Sequence, residues 1–394
     1  MPRSRFWPEF DDEQIEAVAA VLRSGRVNAW TGPDVGAFER EFAAHVGTAH
    51  AIAMANGTVT MDAALRALDL RPGDEVIVTP RSFVASASCV LLAGGVPVFA
   101  DVDPDSQNIT PDTIAPLITP RTRGIIPVHL AGWPCDMDGI MRLAERHGLW
   151  VMEDCAQAHG AAIGNRPVGG FGTLGSYSFC QDKIMTTGGE GGMIVTDDDA
   201  LFDRIWSFKD HGKDRALVFQ RNPPPGFRWL HAAGAGTNLR MTGPAAALGR
   251  VQLRRLPQWR AMRDSNARRL AGALSASPLL RVPMPPAGVT HAWYRLYAFV
   301  RPDRLAPGWD RDRILSAMAA RGQPILTGSC SEIYREAIFA APGLHPPAPL
   351  PVARDLGETS LCLLVDPTWS AEDLDAVASA LLEVCDEALG LTVC

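Results

Sequence analysis

The sequence lacks the features that mark secreted disulfide-bonded proteins and structural zinc sites. Its eight cysteines form no CxxC pair and show no metal-ligand spacing with histidine. Cys89, Cys155 and Cys180 stand in apolar surroundings, which favours buried thiols in a reducing compartment. The first residues lead into a polar segment without the apolar core of a signal peptide. We therefore expect a cytoplasmic protein with free thiols and no bound metal.

Long hydrophobic runs and runs of basic charge are also missing. The longest uncharged stretch, residues 82–100, is interrupted by two glycines and a proline, so it predicts a helix followed by a strand rather than a membrane span. Lys and Arg total 37 against 44 Asp and Glu, a net charge of −7, and no basic stripe or helix-turn-helix pattern indicates nucleic-acid binding. We expect no membrane and no nucleic-acid partner.

What the sequence does contain is an alternation of apolar strands and helices. At 394 residues, with 47% hydrophobic and 21% charged residues, the chain is an ordinary globular protein long enough for two domains. Strand patterns cover residues 50–55, 75–79, 96–101, 125–129 and 149–153, and helix patterns cover residues 11–24, 35–46, 60–70, 82–92 and 136–147. This alternation predicts an α/β fold with a mostly parallel sheet, in which ligands bind at the carboxyl ends of the strands.

The pattern changes in the second half of the chain. Residues 209–237 have no periodicity and contain three consecutive prolines, and a loop of that length is usually functional or disordered. A helix is predicted over residues 244–274, with Pro257 expected to break or kink it. A proline-rich segment follows. We therefore predict a large domain over residues 1–275 and a smaller α+β domain over residues 276–394, with a strand at 291–300 and helices at 310–321 and 371–389.

The central stretch, residues 151–192, carries the residues of greatest chemical interest. VMED predicts a buried strand that ends on Glu153 and Asp154, and SYSFC predicts a second strand that ends shortly before Lys183 and a cluster of glycines. This arrangement suits pyridoxal phosphate, because a lysine forms a Schiff base with its aldehyde and a carboxylate keeps its ring nitrogen protonated. A GxGxxG match at residues 170–175 is rejected as a dinucleotide site, since it opens a strand and not a helix.

Four motifs stand together in a characteristic order: GTVTMDAAL, EDCAQAHGA, SFCQDKIMTTGGEGG and GTNLRM. From about residue 12 to the C-terminus they make the chain similar to the DegT/DnrJ/EryC1/StrS family, pyridoxal-phosphate-dependent aminotransferases that act on keto-sugars and keto-cyclitols. The resemblance implies an α/β protein of pyridoxal phosphate fold type I, aspartate aminotransferase-like, with a mostly parallel mixed sheet in a large domain and a small C-terminal α+β domain. It also implies a homodimer with active sites shared at the interface.

The resemblance assigns cofactor roles to the matching residues. Lys183 would form the Schiff base and then act as the acid and base that moves the proton, and Asp154 would contact the pyridinium nitrogen in preference to Glu153. The other cofactor-binding residues are Gly57 and Thr58 at the phosphate, Phe83 stacked on the ring, Gln157 at the phenolic oxygen, Ser178 at the phosphate, and Asn238, which the neighbouring subunit supplies to the phosphate. Val59 stands where many relatives have serine, which leaves its backbone N–H as the donor at that position.

Other polar residues have less specific assignments. His211, Arg228 and Arg240 are candidates for holding the carboxylate of the amino donor or the acceptor, although an ordinary loop role is open for each. His129 is expected to be a structural hydrogen-bonding residue rather than a base, and His159 has no assigned role. Residues 328–336, with the sequence GSCSEIYRE, are expected to border the acceptor site.

The expected reaction is ping-pong transamination. L-glutamate or L-glutamine gives its amino group to pyridoxal phosphate, which leaves pyridoxamine phosphate. The acceptor is expected to be a keto-sugar, with a nucleotide-linked one leading, and a keto-cyclitol of the scyllo-inosose type is the alternative. A dehydratase of the same fold commonly has histidine in place of the lysine, so Lys183 argues against that activity. A regulatory protein that kept the fold is expected to lose cofactor residues, and Lys183, Asp154, Gln157 and Ser178 are all present.

Overall fold

The computed structural model describes residues 6–323 and 325–391. Its strands are β1 His50–Met54, β2 Glu75–Val78, β3 Val96–Phe99, β4 Thr122–Ile126, β5 Trp150–Asp154, β6 Ala162–Ile163, β7 Arg166–Pro167, β8 Leu174–Ser178, β9 Gly192–Thr196, β10 Leu280–Arg281, β11 Val289–Thr290, β12 Leu296–Val300, β13 Ile325–Leu326 and β14 Ser360–Leu363. Seven of them form a central sheet in the order β1-β9-β8-β5-β4-β2-β3. Strand β9 is antiparallel to β1 and β8, and the other neighbours are parallel, which confirms the mixed, mostly parallel sheet.

The helices begin and end at residues suited to those positions. They are α1 Asp12–Ser24, α2 Asp34–Val46, α3 Gly57–Ala67, α4 Ala85–Leu92, α5 Pro111–Ile114, α6 Met137–His147, α7 Asp199–Lys209, α8 Arg215–Val218, α9 Gly243–Leu274, α10 Arg311–Ala320, α11 Pro351–Thr359 and α12 Ala371–Ala388. Asp11, Asn56 and Asp136 accept hydrogen bonds from the first turns of α1, α3 and α6. In the part of the chain that the structure describes, no helix has the length and apolar character needed to cross a membrane.

The central sheet is buried on both faces. In β2, Val76 and Val78 belong to the apolar cluster that includes α3 and α4, whereas Ile77 belongs to the cluster that includes α6. Successive side chains of a strand point to opposite faces, so a strand covered on both sides must be apolar throughout. This explains why the strand segments read as continuous hydrophobic runs, and it leaves the strand ends as the places where polar side chains can gather.

The C-terminal residues form a second, antiparallel sheet of four strands in the order β10-β12-β14-β13. Helix α9 is continuous over 32 residues through Pro257, so the expected break at this proline does not occur. Apolar packing on both sides of the proline holds the helix together: Leu256 lies in a core with α2 and the central sheet, and Leu274 lies in a core with the C-terminal sheet. The division into domains at residue 275 stays a prediction.

Several element bounds differ from the sequence prediction. The strand predicted at 291–300 is only β12, because Trp293 adopts a positive φ of 53° that interrupts extended backbone. The helix predicted from residue 60 begins at Gly57, because Asn56 caps it there. Residues 209–237 are irregular except for the last residue of α7 and the four-residue helix α8, as their lack of periodicity predicted.

Candidate active site

A cleft of about 450 Å³ lies at the carboxyl ends of three strands of the central sheet. Phe83 follows β2, Gln157 follows β5 and Lys183 follows β8, and all three line this cleft. The opposite wall comes from residues 294–297 before and within β12, and from residues 326–336. The fold therefore brings Phe83, Gln157 and Lys183, which are far apart in the sequence, to one site, at the edge of the sheet where parallel α/β proteins bind ligands.

Lys183 presents its amine to the cleft from an anchored backbone. Its N–H donates to the Cys180 carbonyl at 3.0 Å, and its own carbonyl accepts from the Trp7 indole N–H at 2.7 Å. The side chain is 15% exposed, with Nζ 3.5 Å from Asp182 Oδ1 and 5.0 Å from the centre of the Tyr294 ring. The amine is thus held near one carboxylate and one aromatic face, and it remains accessible to a small molecule.

The two adjacent acids at the end of β5 have different environments. Glu153 is fully buried, and its carboxylate accepts three backbone N–H groups in the 169–172 loop, each at 2.7 Å. His129 Nδ1 accepts from the Cys135 N–H at 3.0 Å, so the imidazole carries its proton on Nε2 and donates it to Glu153 at 3.0 Å. Glu153 is saturated with donors. His129 therefore has a structural hydrogen-bonding position, as predicted from the sequence.

Asp154 keeps acceptor capacity. Its Oδ2 accepts from the Ser86 hydroxyl at 2.8 Å, and its Oδ1 accepts from the Ala156 N–H at 3.0 Å. The Ser86 hydroxyl gives its one proton to Asp154, so it can only accept in its second hydrogen bond. Its partner is the hydroxyl of Ser82, which lies in the cleft wall 3.0 Å away and donates to it. One donor on each oxygen leaves lone pairs for a further N–H. Asp154, and not Glu153, can therefore accept a hydrogen bond from a ring nitrogen.

Gln157 is oriented by one hydrogen bond. Its side-chain oxygen accepts the Ala131 N–H at 2.7 Å, and the residue is buried in the cleft wall. This bond fixes which end of the amide is the oxygen, so its NH₂ group is the end left to donate to a ligand oxygen. Phe83 also lines the cleft, with 68% of its surface exposed, and its apolar face is suited to stacking on an aromatic ring.

The N-terminus of α3 meets Ser178 at the end of β8. A Cβ atom at Gly57 would lie 2.5 Å from the Ser178 Cβ, so only glycine allows this approach. The Asn56 side-chain oxygen accepts the N–H groups of Thr58 and Val59 at 3.1 and 3.0 Å, so the Val59 N–H expected as a phosphate donor is already engaged. The helix N-terminus with the hydroxyls of Thr58 and Ser178 still forms a cradle for an anion.

These features fit pyridoxal phosphate. The site offers an accessible amine for the aldehyde, a buried carboxylate for the ring nitrogen, an exposed phenyl ring and an anion cradle at a helix N-terminus. The individual roles of Gly57, Thr58, Phe83, Asp154, Gln157, Ser178 and Lys183 in binding the cofactor stay predictions.

Eight predicted site residues do not line this cleft within the single chain: Gly57, Thr58, Asp154 and Ser178 lie at the strand and helix ends described above, and the other four lie in or near the 209–237 segment. Arg240 donates to Asp210 at 2.8 Å, and Arg228 donates to the Leu217 carbonyl. His211 and Asn238 are exposed in or just after the 209–237 segment. Asn238 is expected to enter the site of a neighbouring subunit, so its role stays a prediction.

The structure adds residues that the sequence analysis did not single out. Asp182, Tyr294 and Arg295 line the cleft around Lys183, and the Tyr294 hydroxyl donates to Asp182 across 112 residues of sequence. The sequence does contain a signal for Tyr294 and Arg295, because a cation stands among aromatic residues next to a predicted strand in the segment HAWYRLY. Fully buried Arg81 holds the far wall: it donates to the Ser331 hydroxyl and to the Gln107 side-chain oxygen, both at 2.8 Å.

His159 lies beneath Lys183 among aromatic rings. It is buried, with ring centres 5.5 and 5.6 Å from those of Tyr177 and Phe179. Burial, and then the charge of Lys183, lowers the pKa of His159 to about 3. The imidazole is therefore neutral at physiological pH and adds no charge to the site.

Comparisons with known proteins agree with this site. The sequence model of the DegT/DnrJ/EryC1/StrS aminotransferase family matches residues 8–382. The chain is 33% identical over 377 residues to the spore coat polysaccharide biosynthesis protein SpsC of Bacillus subtilis (strain 168), covering 96% of this chain and 95% of that protein. It is also 33% identical over 362 residues to the dTDP-3-amino-3,4,6-trideoxy-alpha-D-glucose transaminase of Streptomyces venezuelae, covering 92% of this chain and 89% of that protein.

Solved structures extend the likeness to three dimensions. The aminotransferase from Psychrobacter cryohalolentis superposes with a TM-score of 0.96 at 50% identity, covering 98% of this chain and all of the other (100%). The fold is therefore that of the pyridoxal-phosphate-dependent aminotransferases, as the motifs predicted. From the sequence model, the relatives and the superposition together, the chain belongs to the DegT/DnrJ/EryC1/StrS aminotransferase family and is a pyridoxal-phosphate-dependent aminotransferase.

Proposed function

We propose that the protein moves the amino group of L-glutamate or L-glutamine to a nucleotide-linked keto-sugar by ping-pong transamination. The observation that carries the proposal is the single cleft that holds the amine of Lys183, the exposed ring of Phe83 and the side chain of Gln157. Pyridoxal phosphate, when bound, supplies an electron-accepting ring that stabilises negative charge at the reacting carbon of the substrate. The chain itself has to bind, orient and move protons.

Lys183 is proposed to anchor the cofactor and then to move the proton. Once the amino donor has displaced Lys183, the Nζ of Lys183 takes the proton from the α carbon of the donor. It then gives a proton back to complete the transfer of the amino group. Asp182, 3.5 Å from Nζ and bonded to the Tyr294 hydroxyl, keeps the amine aimed at the cleft. Asp154 is proposed to accept from the protonated ring nitrogen, and Gln157 to donate to the phenolic oxygen.

The acceptor class is inferred from the relatives. The Streptomyces venezuelae relative is named for a dTDP-linked amino sugar, and the Bacillus subtilis relative for polysaccharide biosynthesis. Both names concern sugars, which supports a keto-sugar over a keto-cyclitol. Residues 328–336 form one side of the cleft, so they are proposed to border the acceptor.

The active assembly is proposed to be a homodimer. Phe227 and Trp229 in the 209–237 segment are 78% and 81% exposed, and large exposed aromatics close together mark an interaction surface. Packing of this segment against a second copy would cover them and bring Asn238 to the neighbouring site.

The test is the visible absorbance of the purified protein supplied with pyridoxal phosphate, before and after L-glutamate is added. We expect a band of lysine-bound cofactor that L-glutamate converts to the amine form, and that a keto-sugar then restores. Lys183→Ala should lack the starting band, and Lys213→Ala, a lysine outside the cleft, should keep it. A wild-type band that neither L-glutamate nor L-glutamine alters would exclude the proposed donors, and failure of every keto-sugar to restore it would exclude the acceptor class.

A further inference from the structure

Arg295 is a cation in the active-site cleft. It lies immediately before β12 and lines the cleft with Lys183. Its guanidinium carbon is 4.1 Å from the centre of the Tyr294 ring, and its Nη1 donates to the Tyr294 carbonyl at 2.9 Å. Among the residues that the structure describes, no carboxylate forms an ion pair with it. Most of its five N–H donors are therefore left for a ligand.

The carboxylate beside Lys183, that of Asp182, is engaged with two other groups. One oxygen of Asp182 faces Lys183 at 3.5 Å, and the other accepts the Tyr294 hydroxyl. Burial opposes the charge of this carboxylate, but Lys183, the Tyr294 hydroxyl and Arg295 together outweigh that effect, so the pKa of Asp182 lies below its ordinary value. Asp182 therefore stays ionised, and its ion pair is with Lys183 and not with Arg295.

A second arginine, Arg263, hydrogen-bonds to the backbone two residues before Arg295. Arg263 of α9 is fully buried, and it donates to the Trp293 carbonyl at 3.3 Å, while its Nε and Nη2 have no hydrogen-bond partner. Burial lowers the pKa of Arg263 to about 10, which still leaves it protonated at neutral pH.

The distances match the dimensions of an α-amino acid. Lys183 Nζ lies 5.0 Å and the Arg295 guanidinium carbon 4.1 Å from the same ring centre, so the two are no more than about 9 Å apart. A carbon in position to react lies about 3.5 Å from Nζ, and the carboxylate carbon of an α-amino acid is about 1.5 Å beyond the α carbon. A guanidinium paired with a carboxylate holds the two central carbons about 4 Å apart. An extended amino acid whose α carbon is beside Nζ therefore spans about 9 Å, which is enough to reach Arg295 with its carboxylate.

We propose that Arg295 binds the α-carboxylate of the amino donor and, after the exchange, that of the departing 2-oxo acid. The inference rests on the proposed transamination. It assigns a binding residue to the half of that reaction in which the amino donor takes part. L-glutamate and L-glutamine share this carboxylate, so the assignment holds for either donor.

The experiment compares Arg295→Gln and Arg295→Lys with the wild-type holoprotein. The matched control is Arg301→Gln, an exposed arginine just after the same strand and outside the cleft-lining set. The rate of the cofactor's absorbance change is measured against L-glutamate concentration. Arg295→Gln should raise the half-saturating concentration tenfold or more, Arg295→Lys should raise it less, and Arg301→Gln should leave it unchanged. The KM of the keto-sugar should stay within twofold in all three.

A binding measurement gives a readout that does not depend on turnover. Titration of 2-oxoglutarate into each holoprotein by calorimetry should show the dissociation constant raised tenfold or more in Arg295→Gln only. Unchanged donor and 2-oxoglutarate affinities in a folded Arg295→Gln protein overturn the inference. A raised KM for the keto-sugar with an unchanged donor assigns Arg295 to the acceptor and also overturns it. If no amino acid alters the wild-type spectrum, the proposed function fails, and the inference fails with it.

Discussion

At the scale of single residues, Glu153 and Asp154 are neighbouring carboxylates that have different partners. Successive side chains of a strand point in opposite directions, so the two carboxylates at the end of β5 meet different partners. Glu153 tethers the 169–172 loop through three N–H groups, and Asp154 meets hydroxyls that lead to the cleft. The first carboxylate stabilises the fold, and the second is free for the reaction.

Exchange of each acid for its amide should separate the two effects. Glu153→Gln puts an NH₂ group against backbone donors, and we expect it to lower the free energy of unfolding by about 3 kcal/mol. Asp154→Asn should cost much less stability but lower kcat/KM by roughly a hundredfold or more. Urea unfolding of the apoproteins and steady-state kinetics check the two expectations. The opposite pattern, a stable Glu153→Gln and an unfolded Asp154→Asn, would contradict the assignment.

Asp182 should make the protein's stability depend on pH in the acid range. Because its pKa is lower in the folded protein than the ordinary 3.8, its stabilisation is complete above that value and is lost as the pH falls through the folded-state pKa. Asp182→Asn should therefore be less stable than wild type at pH 6, with the difference vanishing as the pH falls below the ordinary value. The side chain is 49% exposed, so solvent screening keeps the effect small. Thermal unfolding over a pH series measures it.

At the scale of elements, the start of α3 makes a close contact with the end of β8 in the candidate site. The first turn of this helix packs so closely on β8 that an added methyl group at Gly57 meets Ser178, whereas Gly272 on the exposed side of α9 has open space around it. Both residues are helical glycines with unstrained backbones. They therefore form a matched pair.

Alanine at the two positions should act in opposite directions. Gly57→Ala should destabilise the protein by roughly 1–3 kcal/mol through overpacking, and it should weaken cofactor binding by shifting the helix N-terminus. Gly272→Ala should stabilise it by roughly 0.5–1 kcal/mol, because alanine costs less conformational entropy in a helix. Chemical unfolding and a fluorescence titration with pyridoxal phosphate measure both effects. Equal cofactor affinity in Gly57→Ala and wild type would show that the cradle does not bind the phosphate.

The elements also show what the sequence could and could not predict. Alternating apolar segments predicted the sheet and most helices, because each strand is covered on both faces. Local motifs located Lys183, Asp154 and Gln157, because each lies within a few residues of a strand end. Tyr294 and Arg295 were not found, since their contact with the Lys183 region joins residues more than a hundred positions apart. At Pro257 the sequence left a break or a kink open, and α9 does not break there because packing on two cores outweighs the local effect of a proline.

At the scale of the whole molecule, the proposed dimer with shared sites makes two inactive variants complementary. Lys183→Ala lacks the catalytic amine, and Asn238→Ala lacks the residue proposed to enter the neighbouring site. Unfolded together and refolded, the two chains should form mixed dimers in which one site has both residues. A symmetric interface then predicts recovery of about a quarter of wild-type activity. Mixtures of two Lys183→Ala preparations should recover none, and a mixture of the two variants that stays inactive would argue against shared sites.

The shared use of α9 by two cores sets limits on recombining this chain with its relatives. A junction at residue 275 would leave Leu270 and Leu274 from one parent facing a C-terminal sheet from the other. A junction near Pro257 keeps these side chains with the sheet that they evolved against, and keeps Leu256 with the central one. Chimeras intended to exchange the acceptor-binding wall should therefore cross over within the helix, at its proline, and not at its end.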